Sequence, residues 1–261
     1  MIGFVVRLLL AWRSLINSLT SGRRPPRAMP PSLAGQFTLD GTVPVLQWYL
    51  NGIRSRPLRW TPRSFWWKPR KVRLRAERYY GKTDRHLYDA LERYPVTGKR
   101  VVVVGSERPW YECILTCHGA AVTTIEYRRI RCEIPGLKVL PPEEYAKAPT
   151  RFDVAVSISS IEHDGLGRYG DPIDPNGDLR AMAEFKDLLK PGGLLLLAVP
   201  VGADAVVWNA HRIYGRKRLP LLLEGWEVVE SFGFREELFD GKLGDCGVQP
   251  VFVLRSATDR K

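Results

Sequence analysis

Residues 178–199, DLRAMAEFKDLLKPGGLLLLAV, combine a helix pattern with the pattern of a buried strand. Leu179, Met182 and Phe185 recur at helical spacing, so the first half of this stretch predicts a helix over residues 178–189 with its apolar side facing inward. The run Lys-Pro-Gly-Gly at 190–193 stops that helix, because proline and glycine do not continue one. The apolar run 194–199 that follows predicts a strand buried on both faces.

Similar apolar runs lie on both sides of this stretch. They are residues 101–104, 121–125, 137–140, 152–158, 226–231 and 250–254. Between the first two, a helix beginning near Pro109 is predicted to carry Trp110, Cys113, Ile114 and Cys117 inward, and a short helix is predicted over residues 218–223. Apolar strands that alternate with helices are typical of a parallel sheet covered on both faces. The sequence therefore predicts a doubly wound α/β domain over residues 99–261, with a mostly parallel sheet of seven strands.

The first hundred residues differ from the rest of the chain in charge. They contain 20 Lys and Arg against 5 Asp and Glu, whereas residues 101–261 contain 20 against 23. Residues 1–22 predict an amphipathic basic helix for a membrane surface or for organelle targeting, because Arg7 and Arg13 interrupt the apolar run that a membrane span requires. Residues 23–98 predict a proline-rich linker followed by a basic arm rich in tryptophan.

Three interpretations fit this arm, in which Trp60, Trp66 and Trp67 lie among arginines and lysines. The indoles pack on the main domain, or the arm binds an anionic membrane surface, or it binds nucleic acid. Nucleic acid is the least favoured partner because the sequence carries no recognised nucleic-acid-binding motif. The expected location is intracellular, with attachment to a membrane surface or import into an organelle left open.

The four cysteines are too few and too scattered to predict a disulfide framework, which favours a reducing compartment. Cys113, Cys117 and His118 fall within about one helical turn, but no second close pair completes a tetrahedral metal site. The sequence therefore predicts no metal, and it predicts that these cysteines are small apolar core residues.

Several of these features together resemble a known family. A strand followed by a glycine turn, an acidic residue after the second strand, the run Phe-Asp-Val in the fourth strand and the helix ending in Leu-Lys-Pro-Gly-Gly are similar to the class I S-adenosylmethionine-dependent methyltransferases. The thirteen residues SIEHDGLGRYGDP at 160–172 resemble more narrowly the uncharacterised domain-of-unknown-function family numbered 268, which has that fold.

The resemblance implies S-adenosylmethionine as cofactor and assigns residues to it. Gly105 is expected to contact the methionine portion, Glu107 its ammonium group and Glu126 the ribose hydroxyls, with Ser159 as a further contact at the end of the fourth strand. Gly105 is the only glycine of its turn, where the family usually has two or three. The segment after the third strand also lacks the usual acidic-small pair near the adenine.

The loop after the fourth strand carries the candidate catalytic residues, since ligands of open parallel sheets bind outside the carboxyl ends of the strands. His163 is predicted to be a general base, with Glu162 or Asp164 orienting it. The acceptor is predicted to contact Arg168, Tyr169 and Asp171 and, from the region after the fifth strand, Asn209 and His211.

Three functions follow from this pattern. The first is an S-adenosylmethionine-dependent methyltransferase that acts on a small or glycan-like acceptor. The second is a catalytically inactive binding or assembly protein that uses the basic N-terminal segment, because a fold alone does not establish a function. The third is another α/β enzyme, but the sequence lacks both the Gly-x-Gly-x-x-Gly turn of dinucleotide enzymes and the Gly-x-Ser-x-Gly elbow of serine hydrolases.

Overall fold

A computed structural model describes residues 24–53, 56–246 and 248–257 of the chain. The amphipathic basic helix predicted for residues 1–22 lies outside these residues. Within them, no helix has the length and apolar character that crossing a membrane requires.

The described residues form eight α-helices and twelve strands. The helices are α1 Ala34–Thr38, α2 Pro62–Phe65, α3 Lys68–Arg73, α4 Lys82–Arg93, α5 Tyr111–Cys117, α6 Pro142–Tyr145, α7 Gly177–Leu188 and α8 Arg218–Leu222. Short 3₁₀ turns occur at Pro31–Leu33, Ile161–His163 and Glu236–Asp240. The strands are β1 Val45–Gln47, β2 Leu58–Trp60, β3 Arg100–Val104, β4 Ala121–Ile125, β5 Ile130–Cys132, β6 Lys138–Leu140, β7 Phe152–Ile158, β8 Leu189–Ala198, β9 Ala205–Trp208, β10 His211–Ile213, β11 Trp226–Phe232 and β12 Val251–Ser256.

The central sheet has seven strands in the order β11-β12-β8-β7-β3-β4-β6. The five strands from β8 to β6 run parallel, whereas β12 pairs antiparallel with both β8 and β11. The predicted fold class is confirmed, and each predicted strand of the α/β body is present within a few residues of its expected ends.

Helices cover both faces of this sheet. Since successive strand residues point to opposite sides, each strand packs against helices on both faces. Val101 and Val103 of β3 pack with Leu87 of α4 and Ile114 of α5 on one face. Val102 packs on the other face, where α7 contributes Met182 and Phe185 among others. Burial on both faces explains why β3 and β8 are continuous apolar runs in the sequence.

Two details of the predicted elements differ in the structure. Strand β8 begins at Leu189, before the Lys-Pro-Gly-Gly run, and its pairing with β7 jumps from Phe152–Leu189 to Val154–Leu194. The run therefore bulges out of the strand edge, with Gly192 at a φ of +72°. Cys117, predicted to face inward, is exposed, because α5 ends there and only its first turns pack on the sheet.

Much of the stretch predicted as a linker and arm packs on the α/β body. Helix α4 buries Leu87, Ala90 and Leu91 and contacts β11 and β12. Trp60 is buried and donates its Nε1–H to the Glu107 carbonyl at 3.2 Å, whereas Trp66 is 75% exposed. The interpretation in which the indoles pack on the main domain therefore fits Trp60 but not Trp66.

A small second sheet, in the order β1-β9-β10, joins the N-terminal segment to the region after β8. Strand β1 runs parallel to β9, with Val45 opposite Val206. Phe37 of α1 packs edge-on against Trp208, with 5.3 Å between the ring centroids. This sheet, which the sequence did not predict, holds residues 48–53 across the carboxyl end of the central sheet.

Candidate active site

A cavity of about 1050 Å³ opens at the carboxyl ends of β3, β4 and β7. The turn after β3, the end of β4 and the loop after β7 line its floor. Gly52, Ile53, Tyr79 and Tyr80 line it from the N-terminal segment. The cavity therefore lies at the edge of the sheet where ligands of doubly wound folds bind, and its volume is at the upper end for a small-molecule site.

The turn after β3 depends on Gly105. This residue has a φ of +77°, and a Cβ at its position would lie 1.8 Å from the Ser160 hydroxyl oxygen. Only glycine fits this backbone against the loop that follows β7. Gly105 thus allows the turn after β3 and the loop after β7 to contact each other.

Glu126 lies at the end of β4 and lines the cavity. Its Oε2 accepts the Ser106 N–H at 2.8 Å and its Oε1 accepts the Arg128 N–H at 2.9 Å. Burial raises the pKa of this carboxyl, and the two backbone donors partly offset that rise. Each oxygen has a second lone pair, so the carboxylate is fixed in place and can still accept a hydroxyl of a ligand.

Glu107 and Ser159 lie on different sides of the same cavity. The Glu107 side chain is largely exposed and pairs with Arg128, whose Nη1 is 3.2 Å from its Oε1. Ser159 has a φ of +51° and follows β7. Its hydroxyl donates to Glu162 at 2.6 Å and accepts the Gln249 side-chain amide at 3.2 Å. Ser159 therefore orients Glu162.

Glu162 is fully buried at the base of the cavity. Its Oε1 accepts the Ser159 hydroxyl, whereas its Oε2 has no hydrogen-bond partner among the described residues. Burial raises the pKa of this carboxyl to about 7, an effect that the Ser159 hydroxyl only partly offsets. A carboxyl with such a pKa exchanges a proton readily near neutral pH.

His163 lies beside Glu162 and is held in one tautomer. Its Nδ1 is 2.6 Å from the Ala210 carbonyl oxygen, which can only accept, so Nδ1 carries the proton. Its Nε2 therefore has a lone pair and lies 3.6 Å from Glu162 Oε1. Burial, together with the Arg168 charge, lowers the pKa of His163 to about 3, so this ring is a weak base.

The three predicted acceptor contacts of this loop have different surroundings. Arg168 donates from Nη1 to the Ala210 carbonyl at 3.2 Å, and Tyr169 is 43% exposed beside it. Asp171 accepts the backbone N–H groups of Gly165, Gly167 and Tyr169 at 2.8 to 3.2 Å. Its carboxylate thereby shapes the loop, and Asp171 lines the cavity together with Arg168 and Tyr169.

The two predicted contacts after the fifth strand also differ in position, since only one of them lines the cavity. Asn209 is buried outside the cavity lining, where its side-chain amide accepts from Leu50 N–H at 2.8 Å and donates to Leu50 C=O at 2.9 Å. It fastens the N-terminal segment over the site. His211 lines the cavity, and burial lowers its pKa to about 4. Its Nε2 is buried without a hydrogen-bond partner among the described residues.

Two buried arginines that the sequence analysis did not single out hold the loop after β7. Arg212 donates to the carbonyls of Glu162 and Asp164 at 3.4 and 2.6 Å, and to those of Asp174 and Pro175 at 3.2 Å each. Arg218 forms a two-bond ion pair with Asp178 and also donates to Pro175. No local sequence signal distinguishes them from surface arginines, because the carbonyls that they bind come from distant residues.

The cysteine and histidine cluster on α5 has no ligand geometry. Cys113 Sγ and Cys117 Sγ are 4.0 Å apart, and His118 Nδ1 contacts the Ile114 carbonyl within its own helix. In the part of the chain that the structure describes, no group of three or more His, Cys, Asp and Glu residues could hold a metal ion.

Two solved structures are similar to this chain, and the first of them has the same fold. A 1,6-didemethyltoxoflavin-N1-methyltransferase from Burkholderia thailandensis, bound to 1,6-didemethyltoxoflavin and S-adenosylhomocysteine, matches with a TM-score of 0.50 and 15% identity, covering 90% of this chain and 96% of its own. An S-adenosylmethionine-dependent methyltransferase from Mesorhizobium loti matches with a TM-score of 0.42 and 14% identity, covering 65% and 97%. No curated protein matches this sequence.

A family comparison identifies the α/β body. The model of the family described as "Caenorhabditis protein of unknown function, DUF268" matches residues 98–240, which is more than half of the chain and includes the loop after β7. The methyltransferase-like fold and this match confirm the resemblance noted in residues 160–172. The chain belongs to the DUF268 family.

Proposed function

We propose that this chain is an S-adenosylmethionine-dependent methyltransferase that acts on a small or glycan-like acceptor. The observation that carries the proposal is the cavity at the carboxyl ends of β3, β4 and β7, which brings Glu126 and Glu162 to one space of about 1050 Å³. One wall has a fixed carboxylate that can accept hydroxyl groups, and the base has a buried carboxyl that can exchange a proton.

The residues around β3 and β4 fit the cofactor. Glu126 is positioned for the ribose by two backbone N–H groups and retains acceptor capacity for two hydroxyls. Tyr127, Pro142 and Tyr145 line the cavity beside it and provide apolar surface for a purine ring. Glu107 is partly free to receive an ammonium group, since its pairing with Arg128 is exposed to solvent.

S-adenosylmethionine held by Gly105, Glu107 and Glu126 would supply a methyl group from its sulfonium, and an acceptor atom that took this group would lose a proton. We assign that proton to Glu162 rather than to His163, because an effective base has a pKa near the working pH. The pKa of Glu162 is about 7 and that of His163 is about 3. The neutral His163 accepts a hydrogen bond at Nε2 and so positions the acceptor.

The proposal is tested by thermal unfolding of the full chain with and without S-adenosylhomocysteine. At a ligand concentration of about 100 times Kd, binding to the native state adds about 2.7 kcal/mol of stability. For a domain of this size that corresponds to a rise in Tm of about 5–10 °C. Glu126→Gln should remove most of the rise, whereas Glu133→Gln, outside the cavity, should leave it intact. No rise at millimolar ligand would overturn the proposal.

An inactive binding protein is the second candidate, favoured by one observation. Trp48 and Trp66 are 62% and 75% exposed in a basic segment. Large apolar rings exposed to solvent are typical of a surface that binds a partner or a membrane. On this candidate, a Trp48→Ser/Trp66→Ser double variant loses binding to vesicles that contain phosphatidylserine, and S-adenosylhomocysteine leaves Tm unchanged. The deletion of the whole segment is unsuitable as a test, because β1 and the buried Trp60 belong to the packed structure.

A further inference from the structure

Only one nitrogen of the Arg168 guanidinium group, Nη1, contacts polar atoms of the described residues. Nη1 lies 3.2 Å from the Ala210 carbonyl oxygen and also 3.2 Å from His163 Nδ1, which is itself a donor to that carbonyl. Nε is buried without a hydrogen-bond partner among the described residues, and Nη2 makes no hydrogen bond with them either. The guanidinium lies over the Tyr169 ring, 5.0 Å from its centroid, so one face is covered and the Nε–Nη2 edge has no partner among the described residues.

The charge of Arg168 also lacks a counterion in the described part of the chain. No carboxylate oxygen lies within ion-pair distance of it, whereas Arg128 pairs with Glu107 and Arg218 pairs with Asp178. Glu162 is on the opposite side of the His163 ring, near Nε2, while Arg168 is near Nδ1. A partly buried cation without a counterion is costly. Such a charge indicates a site for an anion.

His211 provides a second unsatisfied group next to Arg168. It lines the same cavity, its ring centroid is 6.3 Å from that of His163, and its Nε2 is buried with no partner in the described residues. In the tautomer with the proton on Nε2, this ring donates one hydrogen bond. Together, Arg168 and His211 offer three N–H donors to a ligand in the cavity.

From these contacts we propose that the acceptor carries an anionic group, a carboxylate or a phosphate, which binds the Nε–Nη2 edge of Arg168 and the Nε2–H of His211. A guanidinium edge binds two oxygens of such a group at once, which is the strong geometry for an ion pair. This inference rests on the proposed function only where it calls the ligand an acceptor. The anion site itself does not depend on methyl transfer.

The position of this site constrains the acceptor further. The anionic group binds on the Nδ1 side of His163 and the proton-accepting Glu162 lies on the Nε2 side. The methylated atom of the acceptor and its anionic group therefore contact different residues of the same cavity. A hydroxy acid, a sugar acid or a sugar phosphate has this arrangement, whereas a neutral sugar lacks the group that Arg168 binds.

The test uses the full chain and three small probes: glycolate, inorganic phosphate and, as the neutral counterpart of glycolate, ethylene glycol. Tm is measured against probe concentration at constant ionic strength, with and without S-adenosylhomocysteine. We expect a saturable rise in Tm with glycolate or phosphate and none with ethylene glycol. Which of the two anions binds more tightly distinguishes a carboxylate site from a phosphate site.

The variants identify the residue responsible. Arg168→Gln should weaken binding of the preferred anion by about tenfold or more, since a charged hydrogen-bonded contact is lost. Arg168→Lys should retain part of the affinity, because it keeps the charge and loses the two-oxygen edge. Arg63→Gln, which removes an exposed arginine outside the cavity lining, should bind as the wild type does.

Each outcome bears on the proposal. No saturable shift with either anion, an equal shift with ethylene glycol, or unchanged anion binding in Arg168→Gln would overturn it, and the first two are measured on the wild type alone. An anion shift that depends on Arg168 in a chain that does not respond to S-adenosylhomocysteine would support the anion site and refute the methyltransferase proposal. The two proposals can therefore fail separately.

Discussion

Glu162 and Asp178 are both fully buried carboxyl groups near the same loop, yet their surroundings are opposite. Asp178 receives two hydrogen bonds from Arg218 and one from the Tyr214 hydroxyl, at 2.8 to 3.0 Å, and Arg212 Nε lies 3.7 Å away. Glu162 receives a single hydroxyl and has one oxygen without a partner in the described residues.

The pKa values of the two carboxyl groups accordingly shift in opposite directions. Two nearby arginines hold the pKa of Asp178 below its usual range despite burial, whereas burial raises the pKa of Glu162 to about 7. A compensated buried charge stabilises the loop that it anchors. An uncompensated one costs stability, and it becomes a candidate for chemistry where it also lines a cavity. The partners of Glu162 and its place in the cavity lining together distinguish it from the structural carboxylate Asp178.

Asp178→Asn should give the largest effect. The variant leaves Arg212 and Arg218 buried without their counterion, and breaking a buried pair in this way costs about 3–5 kcal/mol. Urea unfolding at pH 7 measures the loss. Asp240→Asn is the control, because it breaks the exposed pair with Arg216 and should cost about 1 kcal/mol or less. Equal losses in the two variants would contradict the structural role of Asp178.

Glu162→Gln should change how stability depends on pH. Because the pKa of Glu162 is raised to about 7, the native state holds a proton that the unfolded chain releases above about pH 4.3. The wild type therefore loses stability between about pH 4.5 and 7. Glu162→Gln avoids this loss and should gain about 2–3 kcal/mol relative to the wild type as the pH rises from 4.5 to 8. Unfolding at several pH values measures the gain.

Glu112→Gln is the matched control for that variant. Glu112 is also fully buried, its pKa is likewise raised to about 7, and its Oε2 has no partner among the described residues, but it does not line the cavity. We expect a similar gain in stability at high pH with methyl transfer retained, whereas Glu162→Gln should lose methyl transfer. Retained transfer in Glu162→Gln would contradict its assignment as the proton acceptor.

Asp171→Asn should have an intermediate effect. Its carboxylate is held by three backbone N–H groups rather than by arginines, and an amide can accept only part of those bonds. A loss of about 1–2 kcal/mol in the free energy of unfolding is expected. Unchanged stability would mean that the loop keeps its shape without Asp171.

The smallest effect is expected at His163, whose ring should not titrate between pH 5 and 8. With its pKa lowered to about 3, the ring is neutral from pH 5 to 8 and its ring carbon signals should not move in that range. Nuclear magnetic resonance of the four histidines measures this, and His163→Gln assigns the signal. Titration of that signal near pH 6.5 would show that the ring is more solvated than its contacts imply.

The sequence predicted most of the central sheet because its signals are local. The four valines of β3, the apolar run of β8 and the helical spacing of Met182 and Phe185 each report burial within a few residues. The sheet of β1, β9 and β10 was missed because Val45 and Val206 pair across most of the chain, and neither segment has a periodicity of its own. Helix α4 was missed although Leu87, Ala90 and Leu91 have helical spacing, because the basic residues around it suggested an arm.

The site shows a similar limit. The loop after β7 and Glu126 were predicted as a pocket because strand ends meet at one edge of the sheet. Which group of that pocket is the base depends on the Ala210 carbonyl at His163 and on the burial of Glu162, and neither is a local property. Asn209 and Asp171 were predicted to contact the acceptor. Both bind backbone groups that the fold brings to them, Asn209 outside the cavity lining and Asp171 within it.

Binding of S-adenosylmethionine in the cavity is measured by calorimetric titration of the full chain with S-adenosylhomocysteine. We expect saturable binding with one site per chain, an affinity at least about tenfold lower in Glu126→Gln, and wild-type affinity in Glu133→Gln. Absence of binding to the folded protein at millimolar ligand, or equal binding to wild type and Glu126→Gln, would contradict it.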